Sequence, residues 1–175
     1  MKTLKNMKLY MSLLLAAAVF CVAADQSFAQ GQSGGKGNSK KEQKQLDKEA
    51  KKMEKAAEKA AHGIGRDAVF CVLAAHTTLS DFETAQQLKT KFESLTDFPF
   101  GQFVAAVLLA DRLDKEGFGL NEILAKLQAG MSIGEITKEA GANMGEVHKG
   151  FGEMRSEIAR SMTNPPTKNC FDTAP

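Results

Sequence analysis

Leu124 to Met162 reads LAKLQAGMSIGEITKEAGANMGEVHKGFGEMRSEIARSM, and the fold class follows from it. Leu124 and Leu127 close one helix, and Gly130 stops it. Ser132 is a good N-cap with Glu135 three residues on, the S-x-x-E pattern of a capping box. Ile133, Ile136 and Ala140 make a short apolar face, and Gly141 ends that helix. Asn143 caps the next, in which Met144, Val147, Phe151, Met154, Ile158 and Met162 recur at steps of three and four. Two helices joined by a glycine turn are the expected result.

Working towards the N-terminus, each segment announces another helix. Asn121 opens one that runs to about Ala129, after a turn at Gly117-Phe118-Gly119. Phe100 to about Leu113 has the apolar heart FVAAVLLA, too short to span a membrane, with Pro99 in its first turn. Ser80 and Glu83 repeat the S-x-x-E pattern before a helix whose inner face is Phe82, Ala85, Leu88, Phe92 and Leu95. DAVFCVLAAH, from Asp67 to His76, is apolar nearly all round and therefore buried. No stretch alternates with period two over the length of a strand, and no Asn-Gly or Asp-Gly hairpin turn occurs. The expected fold is all-α: a small orthogonal bundle of about six short helices spanning 66–163, followed by a tail, 164–175. Phe70, Phe82, Phe92, Phe103, Leu108, Ile123, Leu127, Ile136, Val147 and Phe151 are its candidate core.

Before the bundle, residues 40–62 are rich in lysine, glutamate and alanine, all strong helix formers. Asp47–Lys51, Lys51–Glu54 and Lys55–Glu58 are spaced to pair along one helix. Leu46, Ala50, Met53, Ala57, Ala60 and Ile64 follow a coiled-coil spacing, but so alanine-rich a seam is weak. A solvated helix, frayed at its start, is expected. Residues 30–39, QGQSGGKGNS, read as a flexible linker.

The first 29 residues have the pattern of a secretory signal. Lys2, Lys5 and Lys8 precede an apolar run, and Ser27 and Ala29 place small residues for cleavage after Ala29. Phe20 stands where lipidation at Cys21 would need a small residue. The expected address is the periplasm or the medium. Loss of Lys2, Lys5, Lys8 and Asp25 takes the formal +2 to zero, so the overall basic charge supports no nucleic-acid argument. An asymmetry remains: residues 36–59 carry nine lysines against five acids, and residues 60–175 carry 11 basic against 15 acidic residues. The basic arm is expected to contact an anionic surface or the domain itself. Cys71 and Cys170 remain after cleavage; they either pair, in an oxidising compartment, or stay as two buried thiols. Pairing would close a long loop, worth about 4–5 kcal/mol at most.

Ile133 to Phe151 resembles the helix-turn-helix of small DNA-binding domains. Gly141 stands at the turn glycine, and Ile136, Ala140 and Val147 stand where that motif packs its helices. Thr137 holds a position usually given to alanine, and Gly150 falls where a core hydrophobe is expected. The resemblance implies that Asn143, Met144, Gly145, His148 and Lys149 face outward, with Glu146 among them and no arginine. Such a face neutralises few phosphates, so packing or protein contact is the expected use, and nucleic-acid binding the alternative. The Gly130-x-Ser132-x-Gly134-Glu135-Ile136 turn is also similar to that of small exported bacterial helical proteins, which implies an envelope address and no activity.

Other chemistry has thin support. His62, His76 and His148 are far apart, with no C-x-x-C or H-x-x-x-H spacing. Met131, Met144, Met154 and Met162 could suggest a soft metal site, but three lie on an apolar helical stripe. Asp111, Asp114 and Glu116 miss the calcium-loop spacing. Cys71 and His76 lie roughly 140° apart round a helix, poorly placed as nucleophile and base. No cofactor, metal or catalytic residue is assigned. A non-enzymatic exported module contacting an envelope protein is expected, with a small-ligand or metal carrier as the alternative. Gly145, Gly150 and Gly152 break the rule against glycine inside a helix: either something approaches closely there, or the helix is kinked or starts late.

Overall fold

Helix signals at the predicted positions become seven helices in a computed structural model that describes residues 36–82, 84–113, 117–165 and 170–171. They are α1 (Lys36–Ile64), α2 (Arg66–His76), α3 (Ala85–Glu93), α4 (Phe100–Leu113), α5 (Leu120–Gln128), α6 (Ile133–Glu139) and α7 (Met144–Thr163). The fold is an all-α bundle. The signal segment, its cleavage site and most of the expected linker lie outside the described residues.

The opening stretch folds as its caps dictate. Ser132 Oγ accepts from the Glu135 N–H while Glu135 Oε2 accepts from the Ser132 N–H at 2.8 Å, a complete capping box. Asn143 Oδ1 accepts from the Gly145 and Glu146 N–H groups at 2.9 and 3.3 Å. Gly130 and Gly141 adopt φ of +87° and +68°, which only glycine takes at little cost. Each closes a Schellman turn: Met131 N–H bonds to Lys126 O, and Ala142 N–H to Thr137 O.

One cap differs from expectation. Helix α3 starts at Ala85 behind a Thr84–Gln87 capping box, not behind Ser80. Residues just before it are turned instead. Thr78 N–H donates to Asp111 Oδ1 at 2.7 Å, Leu79 is buried, and Leu79 and Phe82 form an isolated bridge. Phe82 and Phe92 are therefore half-buried at the edge of the core, while the other eight candidates are buried. Phe92 still joins Phe70, Phe100 and Phe103 in a cluster of tilted and edge-on rings, 5.2–6.2 Å between centroids. The Arg66 guanidinium lies over the Phe92 and Phe100 rings at 5.4 and 5.3 Å.

The larger correction is α1. It is not a solvated arm, and it begins at Lys36 inside the expected linker. It belongs to one compact unit, Gly34–Pro175, and packs against α2, α4, α6 and α7. Leu46, Ala50, Met53, Ala57 and Ala60 are 0–2% exposed. Beside that seam, glycines let α4 and α6 close on the backbone of α1. A Cβ on Gly101 in α4 would run into the Glu54 carbonyl oxygen, with Glu54 C and Cα at 2.9 Å. A Cβ on Gly134 in α6 would meet Gln43 Cγ and O at 2.9 Å. The missing side chains bring the backbones together. Gly101→Ala is expected to lower stability by about 2–3 kcal/mol in urea unfolding, because backbone has to move. Gly152→Ala has nothing within 4 Å and is expected to raise it by about 0.5–1 kcal/mol. A loss at Gly152 equal to that at Gly101 would contradict this packing.

Candidate functional site

Three acids of α1 reach partners on other helices: Asp47, Glu49 and Glu58. Asp47 Oδ1 accepts from the Gly134 N–H at 2.8 Å, and Glu58 Oε1 accepts from the Gly101 N–H at 2.8 Å. Each carboxylate thus caps the amino end of another helix, where free N–H groups and the helix dipole favour negative charge. Glu49, 9% exposed, pairs with Lys52 Nζ and Arg155 Nη1, both at 2.6 Å, with His148 Nε2 4.0 Å away. Glu54 is half-buried beside Gly101. The expected Asp47–Lys51 and Lys55–Glu58 pairs give way to these contacts.

The lysines of α1 point the other way. Lys41, Lys44, Lys48, Lys51, Lys55 and Lys59 follow each other at steps of three and four, all exposed. Counting 100° per residue, they occupy the side opposite Leu46, Met53 and Ala57. Lys40 and Lys52 flank them, also exposed. Near the start of the helix, Lys40, Lys41, Lys44 and Lys48 line a shallow open hollow of about 360 Å³ with Gln45. Glu42 is the one exposed acid between Lys40 and Lys59. Sequence spacing alone could not separate these charges, because the partners of Asp47 and Glu58 lie 87 and 43 residues away.

Two carboxyls titrate in opposite senses. The Lys52 hydrogen bond, helped by Arg155 and opposed by burial, holds Glu49 below the usual carboxylate range. Its pairing stabilises the fold above the unfolded value of about 4.3 and is lost as pH falls through the lower folded value. Desolvation pushes Glu54 up, so its charge costs stability above its folded pKa, and that cost vanishes on acidification. Glu49→Gln is expected to flatten the acid limb of stability against pH. Glu54→Gln is expected to raise the melting midpoint at neutral pH and to leave it unchanged in acid. The same slope in both variants would refute this assignment.

Of the five residues expected at an interaction surface, Asn143, Gly145, His148 and Lys149 are exposed. Asn143 is spent as a cap, and Met144 is half-buried against the core. Gly145 is exposed, and its missing Cβ would lie 3.1 Å from Asn143 Oδ1. His148 faces Glu49, and Lys149 Nζ lies 3.7 Å from Glu153 Oε1. Thr137 is fully buried, its hydroxyl donating to Ile133 O at 2.8 Å. Gly150 is buried where Arg112 crosses α7, a Cβ there lying 2.7 Å from Arg112 Nε. Close approach therefore accounts for Gly150 and not for Gly152.

Cys71 and Cys170 stand at disulfide distance, with Cα atoms 5.7 Å apart. Behind Cys71 an open cleft of about 240 Å³ runs between α2 and α7, lined by His76, Glu157 and Arg160 among others. Its polar groups are engaged: Arg160 Nη1 reaches both Glu157 oxygens at 2.7 and 2.8 Å, and Ser161 Oγ donates to Ile158 O. Among the described residues no group of three or more His, Cys, Asp or Glu is placed to hold a metal. Met154 is buried, and Met131, Met144 and Met162 pack against the core. Among the described residues, too, no helix is long and apolar enough to cross a membrane. No family model, no curated protein and no solved structure matches the chain.

Proposed function

We propose that the chain is an exported, non-enzymatic helical module that works by surface contact with another component of the cell envelope. The observation that carries it is the sorting of charge on α1. Asp47, Glu49 and Glu58 are used inside the bundle, and Lys41, Lys44, Lys48, Lys51, Lys55 and Lys59 are left together on the outside. A solvated helix with no partner needs no such sorting, since mixed signs serve solubility as well. Two features support the address: the signal pattern over residues 1–29, and the Cys71–Cys170 pair, of a kind that persists in oxidising compartments.

Expression of the full chain in a bacterial host, followed by fractionation, tests the address. The expected product lies outside the cytoplasm, has the mass of a chain starting at Gln30, and resists thiol alkylation. An unprocessed cytosolic product with both thiols free would end the proposal. Contact is tested by co-sedimentation with envelope fractions. Recovery is expected to fall when Lys44, Lys48, Lys51 and Lys55 are replaced by glutamine.

A further inference from the structure

We infer that the lysine face of α1 docks on a bilayer containing anionic phospholipid. The inference rests on the envelope-contact reading and names its partner. The occupant has to be anionic, because from Lys41 to Lys59 the outward side of α1 offers lysine after lysine, and of the acids along it Asp47, Glu54 and Glu58 are half-buried, Glu49 is buried and Glu42 is exposed. Three properties of that face then select among anions.

Its composition comes first. No arginine stands on α1, so the face lacks the planar fork that grips one phosphate in two places. It carries no aromatic side chain on which bases of a single strand could stack. Its apolar residues are turned into the core, so nothing is left to insert between acyl chains. Flexible point charges of one sign suit a diffuse field better than a single binding group.

Shape comes second. Six lysines along one side of a helix extend over roughly 27 Å at 1.5 Å per residue. A plane meets all of them together. A helix laid across a nucleic-acid duplex meets it only near the crossing, and one lying in the groove reads base edges with side chains this face lacks.

Charge distribution comes third. Residues 60–175 carry 15 acids against 11 basic residues, so the remainder of the chain is repelled by the surface that attracts α1. The protein therefore arrives α1 first. Each lysine near an anionic bilayer is worth about a fivefold change in partitioning at physiological salt, fading within a Debye length.

The test uses the form lacking residues 1–29, which keeps the compact unit Gly34–Pro175 whole, with the cysteines oxidised. It is sedimented with phosphatidylcholine vesicles, with and without phosphatidylglycerol, at low and high salt. Binding is expected only to the anionic vesicles and is expected to disappear at high salt. The Lys44→Gln, Lys48→Gln, Lys51→Gln, Lys55→Gln variant is expected to lose about a hundredfold or more in partitioning, with its melting midpoint unchanged. A control that removes Lys91, Lys138 and Lys149 instead is expected to stay within a few-fold of the parent. Equal binding to neutral vesicles, or full binding by the quadruple variant, overturns the inference. So does tighter binding to a DNA duplex than to anionic vesicles at the same salt, which would make the partner a nucleic acid. If no vesicle binds but the quadruple variant still loses recovery with envelope protein, the lipid assignment fails and the envelope reading survives. If that variant behaves as the parent in both assays, both fail.

Discussion

A chain that begins at Arg66 is expected not to fold. The sequence marks 66–163 as a bundle with its own apolar faces, and removing the lysine-rich helix ahead of it would look harmless. The packing says otherwise. Leu46 and Met53 are 1% and 0% exposed, and truncating side chains so placed costs about 2–5 kcal/mol each. Those two alone approach the roughly 5–15 kcal/mol by which a whole domain is stable. Removal of α1 would also uncover the facing sides of α4 and α7 and strip the carboxylate caps from Gly101 and Gly134. Circular dichroism of residues 66–175 is expected to show reduced helicity and no cooperative melt, while residues 30–175 melt in one transition. A cooperative melt of the shorter chain at the same midpoint would return α1 to the status of an arm.

Opening the Cys71–Cys170 pair is expected to have the next largest effect. It joins α2 to the tail across a sequence separation of 99, and a loop of that length restrains the unfolded chain by up to about 4–5 kcal/mol. Beyond Cys170, the Phe171 ring sits 5.3 Å from Lys89 Nζ, so the tail also touches α3. Urea unfolding of the Cys71→Ala, Cys170→Ala variant, beside the oxidised parent, checks the figure. The midpoint is expected to fall sharply. An unchanged midpoint would mean that the two sulfurs are neighbours without a bond.

How much of this was legible in the sequence depended on distance along the chain. The Ser132–Glu135 box, the Asn143 cap and the turns at Gly130 and Gly141 involve groups within five residues of each other, and local pattern found them. The span Phe100–Leu113 was readable because Pro99 and the following polar turn punctuate it. Ser80–Glu83 misled because Thr84–Gln87 is an equal cap four residues later. Just before them Thr78 is held by Asp111, 33 residues on, a contact local pattern cannot find. The burial of α1 was hidden most deeply. Alanines at seam positions look weak alone, and beside them Gly101 and Gly134 let α4 and α6 close on the α1 backbone. Neither glycine signals by itself that a neighbouring backbone lies against it. The helix-turn-helix likeness rests on α6, the Gly141 turn and α7, and of the residues it implied as a surface all but Met144 are exposed. The lysine face was visible only as an excess of charge, since its side of the helix is fixed by what lies beneath.

The Arg155–Glu49 contact joins residues 106 apart and holds α7 against α1, while Asp47 and Glu58 tie α1 to α6 and α4. The first helix is thus clasped by partners drawn from most of the later chain. Its middle amides have no private way to open. They are expected to exchange with solvent only when the entire bundle comes apart, although α1 lies at the N-terminal edge of the folded unit, where fraying would ordinarily be fastest.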